Sequence, residues 1–162
     1  MEITLAHLPQ ELAALEAQSS RSTLEIYAPA PQHEQFYRDL CRLYLAASES
    51  ERSQIRNFIA DKEGVQNCLL GYAYQCAKLL QAQKDERWLQ LGVVASTLAR
   101  QKMDYRDVLL AWAELYVVAE EAGIDPDPAF KEIASEERFG TYAVVHSRRA
   151  GTHRATPPAP KP

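Results

Sequence analysis

The chain has 162 residues, 46% of them hydrophobic and 25% charged, with a formal net charge of −4; this is the composition of one soluble globular domain, long enough to bury its own core. No apolar run nears the ~20 residues that cross a bilayer, and Met1-Glu2-Ile3-Thr4 lacks the basic and apolar regions of a secretory leader. Cys41, Cys68 and Cys76 are an odd number and each falls inside a helical pattern, which suits buried thiols in a reducing compartment, so a cytoplasmic protein without a membrane anchor is expected.

Residues 1–20 read as a short extended lead followed by a helix, with Pro9 in a tolerated first-turn position and Leu8, Leu12 and Leu15 on one side. Residues 19–32 read as a loop, closed by Pro29 and Pro31. From His33 the helical pattern is nearly continuous. Phe36, Leu40, Leu43, Tyr44 and Ala47 form one stripe, which ends at the polar turn Ser48-Glu49-Ser50. Residues 51–61 predict a shorter helix with Ile55, Phe58 and Ile59 inward and Arg52 and Arg56 outward. A long helix follows from Glu63 to about Gln83, its face made of Val65, Leu69, Tyr72, Ala73, Cys76 and Leu80, with Gly71 marking a close helix contact.

Asp85 caps the next helix, which reaches about Arg100 on a stripe of Trp88, Leu91, Ala95 and Leu98. Gly92, Ser96 and Ala99 give it a second, small-residue face suited to close approach by a neighbour. The stretch Asp104–Gly123 is the most apolar of all. Tyr105, Val108, Trp112, Leu115, Tyr116 and Ala119 recur at helical spacing, and Leu109, Leu110, Ala113, Val117 and Val118 carry the stripe nearly all the way round. With Asp104 as N-cap, Asp107 in the first turn and Gly123 as the stop, it is expected to be the central helix. A turn at Ile124–Pro128 leads to a short last helix with Phe130, Ile133 and Ala134 inward.

Leu69-Leu70-Gly71-Tyr72-Ala73 echoes Leu109-Leu110-Ala111-Trp112-Ala113 at an offset of 40, and the Asp85 helix start echoes Asp125. That period suits HEAT-like or armadillo-like hairpins. The expected fold is therefore all-α: antiparallel helical hairpins, as such a stack or as an irregular bundle. One domain is expected over residues 1–137. Residues 138–162 are expected to form a flexible tail, with Thr141-Tyr142-Ala143-Val144-Val145 as a short strand or docking segment and a disordered, Pro-rich end beyond it. Charge divides the same way. All 22 acidic residues lie within residues 1–137, whereas Arg138, Arg148, Arg149, Arg154 and Lys161 follow with no acid among them. An acidic body disfavours nucleic acid.

Catalytic motifs are missing from the sequence. The four histidines lie outside the main helices, no Glu-x-x-His pair occurs, and Cys68 and Cys76 fail zinc spacing, so no metal or other cofactor is expected. There is no nucleophile elbow and no phosphate-cradling glycine loop. Asp107, Glu114 and Glu121 repeat every seven residues and drift only about 20° per step, giving a narrow acidic line along the Asp104–Gly123 helix. Tyr74 stands off the main face of its own helix. These four are the candidate partner-binding residues. The function they predict is a non-catalytic cytoplasmic adaptor or regulatory protein that grips another protein with a helix face. The alternative is a small enzyme or ligand-binding bundle with carboxylates converging in an inter-helical pocket.

Overall fold

The structure, a computed structural model, describes residues 3–17, 31–99 and 105–134, and among these every regular element is helical. A short 3₁₀ turn at Leu5–His7 leads into α1 (Leu8–Ala17), followed by α2 (Pro31–Ala46), α3 (Glu49–Ile59) and α4 (Glu63–Gln83). Next come α5 (Glu86–Ala99), α6 (Tyr105–Glu121) and α7 (Asp127–Ala129), the last running into a wider π-type turn at Phe130–Ala134. The Asp104 cap, residues 19–30 of the expected 19–32 loop, the Thr141–Val145 segment and the 138–162 tail lie outside the described residues. Pro31 and Gln32, expected to close that loop, already belong to α2, since proline is tolerated in a first helical turn; His33, expected outside the main helices, is therefore inside α2 and buried.

Local chemistry sets the helix ends. Ser48 opens α3 with a capping box: its hydroxyl accepts the Glu51 N–H at 3.2 Å, and the Glu51 carboxylate accepts the Ser48 N–H at 2.9 Å. Ser48-Glu49-Ser50 is therefore not only a turn; its last two residues already belong to the helix. Asp85 caps α5 by accepting the Arg87 N–H at 3.0 Å. The α6 helix stops at Gly123 (φ 80°), where Ile124 N–H reaches the Ala119 carbonyl at 2.9 Å and Gly123 N–H the Glu120 carbonyl at 3.0 Å. A residue with a Cβ is strained at that φ, which is why glycine stands there.

Between consecutive helices, a side chain of the second ties down the open carbonyls of the first. Arg52 of α3 donates from Nε to the Tyr44 carbonyl at 2.9 Å and from Nη2 to the Leu45 carbonyl at 3.1 Å, with its guanidinium 4.9 Å from the Tyr44 ring. Gln66 of α4 does the same for α3, donating to Ile59 and Ala60 at 2.9 and 3.3 Å. Arg52 is thus buried rather than outward. Its periodic position suggested solvent, but the unsatisfied last-turn carbonyls of α2 supply acceptors that draw the guanidinium inward. Arg56 is half-buried, donating to the Tyr44 hydroxyl at 2.7 Å and to Glu49 at 2.8 Å.

The core is centred on α5, not on α6 as its apolar sequence suggested. Every residue from Leu91 to Ala99 is buried, and the helix packs against α2, α4, α6, α7 and the turn after it. The small-residue face makes this crowding possible. A Cβ built on Gly92 would lie 2.6 Å from Leu115 Cδ2 and 3.1 Å from Cys76 Cβ, so α4 and α6 both close on that one position. Ser96 hides its hydroxyl by donating to the Gly92 carbonyl at 2.7 Å. By contrast α6 leaves Arg106, Leu110, Glu120 and Glu121 exposed.

Candidate functional site

The α4 and α6 helices pack side by side, and each leaves one large hydrophobic side chain in water: Tyr74 at 37% exposure on α4 and Leu110 at 40% on α6. Tyr74 falls outside the sector that α4 buries through Leu69, Leu70, Tyr72, Ala73, Cys76 and Ala77. On α6 the helical period places Leu110 beside Asp107 and Glu114, three residues after one and four before the other. The two halves belong to one patch. Partial burial first, and then the carboxylates of Glu114 and Asp107, hold the Tyr74 hydroxyl above its ordinary range, so those charges lie close enough to act on it.

Of the four residues singled out by sequence, three are therefore brought together: Tyr74, Asp107 and Glu114. Glu121 stands apart. It is exposed one further seven-residue step along α6, about 10 Å from Glu114 along the axis, and is not among the charges acting on Tyr74. Leu110 was missed, since the sequence reading assigned it to the buried stripe. Its signal was available in its register with the acidic line. Lys78 and Arg106, both exposed, stand on the same two helices.

Other parts of the molecule offer less chemistry. Cys41, Cys68 and Cys76 are buried free thiols. Burial pushes the Cys76 thiol up to about 12; burial and then the neighbouring Cys76 raise Cys41 well above its usual value. The Tyr72 hydroxyl is raised by burial and then by both thiols. These groups form one cluster between α2 and α4 that stays protonated near neutral pH, and a protonated thiol is a poor nucleophile. An open cleft of about 320 Å³ is lined by Leu45, Glu86, Gln90, Pro128, Ala129, Glu132 and Ile133. Its two carboxylates are exposed, and Glu132 leans on Arg52 at 3.8 Å. Among the described residues no three His, Cys, Asp or Glu side chains gather as a metal site requires, and no helix is long and apolar enough to cross a membrane.

Fold and site together define an all-helical protein with an acidic, partly apolar helix face. Comparison of the chain with protein-family models, with curated proteins and with solved structures gives no match.

Proposed function

We propose that this protein is a non-catalytic helical adaptor that binds a partner protein through the α4–α6 face, with Tyr74 and Leu110 as apolar contacts and Asp107 and Glu114 as charged guides. One observation carries the reading: the two large hydrophobic side chains left exposed among the described residues are neighbours of the same two carboxylates. An apolar centre with a charged rim is the ordinary anatomy of a recognition patch. Glu121 extends the acidic edge beyond that centre. The architecture behind the face is read as two hairpins of one design, α4–α5 and α6–α7. In each, the second helix is opened by an aspartate that accepts the N–H two residues on, Asp85 at 3.0 Å and Asp125 at 3.1 Å. The buried thiols suit a cytoplasmic setting, and the acidic body favours a basic protein surface over nucleic acid.

Partner recovery by the immobilised chain tests this, comparing the native protein with Tyr74→Ala and with Asp107→Lys/Glu114→Lys. Each variant is expected to weaken binding by about fivefold or more, since a contact residue of this kind contributes above ~1 kcal/mol, while helical content stays unchanged because these side chains lie outside the core. Equal recovery by all three proteins removes the face from consideration.

A further inference from the structure

The face has a complement within the same chain. Residues 141–149 read Thr-Tyr-Ala-Val-Val-His-Ser-Arg-Arg, an apolar stretch followed by two adjacent guanidinium groups, in a segment without an acid after Glu137. Tyr74 and Leu110 beside Asp107 and Glu114 present the matching order, apolar contacts beside negative charge. The route between them is short. The last described turn packs on α6 through Phe130, whose ring lies 5.9 Å from that of Trp112 and 5.6 Å from that of Tyr116. Helical periodicity puts Trp112 and Tyr116 on the far side of α6 from Leu110 and Glu114. The path from one side to the other is half the circuit of a helix about 10–12 Å across. Arg148 lies fourteen positions after Ala134, and fourteen steps of chain reach up to ~46 Å when extended.

Resting on the binding face proposed above, we infer that residues 141–149 occupy it within the same molecule. Tyr142, Val144 and Val145 meet Tyr74 and Leu110, while Arg148 and Arg149 meet Asp107 and Glu114. A linker of this length holds the segment at an effective concentration in the millimolar range. Even a weak contact is then well populated, and a partner must displace it. The face is thereby a regulated one: a partner competes with the chain's own segment, and raising salt or removing the arginines opens the site.

Paramagnetic relaxation in the full-length chain tests this. A nitroxide is attached at Thr152→Cys, which the buried native thiols leave as the accessible cysteine. Amide signals of residues 74, 110 and 114 are expected to lose most of their intensity in dilute buffer. They recover at about 0.5 M salt, where screening acts within a few ångströms, and in Arg148→Glu/Arg149→Glu. Attenuation spread evenly over the surface, or none, overturns the inference. So does attenuation seen only on an isotope-labelled copy mixed with a spin-labelled one, since that contact is between molecules. A synthetic peptide of alternating leucine and arginine then separates the two ideas. If it shifts the α4–α6 signals while the nitroxide does not attenuate them, self-occupancy fails and the face stands. If neither acts there, both fail. When self-occupancy holds, the peptide binds Arg148→Glu/Arg149→Glu severalfold more tightly than the native chain.

Discussion

Replacing Gly92 by alanine probes the tightest point of the core. Alanine is the better helix former by about 1 kcal/mol, so in an open helix the change would stabilise. Here the added methyl would sit 2.6 Å from Leu115 Cδ2, 3.1 Å from Leu115 Cδ1 and 3.1 Å from Cys76 Cβ. The two neighbours respond differently. Leu115 ends in rotatable methyls but is fully buried among other core side chains, whereas the Cys76 Cβ is fixed to the α4 backbone and moves only with that helix. Overpacking of this kind costs about 1–3 kcal/mol, and subtracting the propensity gain leaves a net loss of about 1 kcal/mol. Thermal unfolding of Gly92→Ala should show a midpoint lower by about 2–4 °C. Leu115→Ala alone should cost about 2–5 kcal/mol. In that background the principal clash is gone, and Gly92→Ala should become neutral or stabilising, a coupling of about 1–2 kcal/mol. A native-background Gly92→Ala protein stabilised by the full ~1 kcal/mol would refute the packing argument.

Further outcomes follow from the helix ends and the buried ionisable groups. Arg52→Leu leaves the Tyr44 and Leu45 carbonyls without their guanidinium donor and should cost about 2–4 kcal/mol in urea unfolding; a loss under about 0.5 kcal/mol would show that the contact is incidental. Lys84 ends α4 in the left-handed conformation at φ 53°. Lys84→Gly should therefore raise stability by up to about 1 kcal/mol, and a destabilised variant would contradict the strain. The thiol cluster gives the pH dependence. Folded Cys76 keeps its proton up to about 12, against an ordinary 9.0, and Cys41 and Tyr72 are shifted in the same direction. Their contribution is whole below the unfolded values and is lost as pH rises from about 9 towards 12. The urea midpoint should accordingly fall steadily through that window, and Cys76→Ala should flatten the fall.

The positions of the helices, and several of their ends, were legible in the sequence because they are local properties. Asp85 with Arg87 and Gly123 at positive φ act within a few residues of chain, and the long helix read from Glu63 to Gln83 has those bounds. The Ser48–Glu51 box is just as local, yet the stretch reads only as a turn in the sequence, so α3 begins two residues earlier than expected. The buried faces of α2, α4 and α5 followed from the 3.6-residue period. The acidic line on α6 was visible for the same reason, as was the small-residue face of α5 that Leu115 and Cys76 close on.

What the sequence alone determined is therefore which residues share a face of a helix. Which faces meet was decided only by the tertiary structure. An amphipathic stripe states that burial is favourable but carries no address, since apolar attraction is non-directional. Hence the most apolar helix, α6, keeps Leu110 in water, while α5 becomes the centre because glycine, serine and alanine let both neighbours approach it. Arg52 turned inward because carbonyls of another helix awaited a donor. Tyr74 joined Asp107 and Glu114, residues more than thirty positions away in the chain, because α4 and α6 pack side by side. That juxtaposition turns an acidic line and an isolated tyrosine into one candidate binding face.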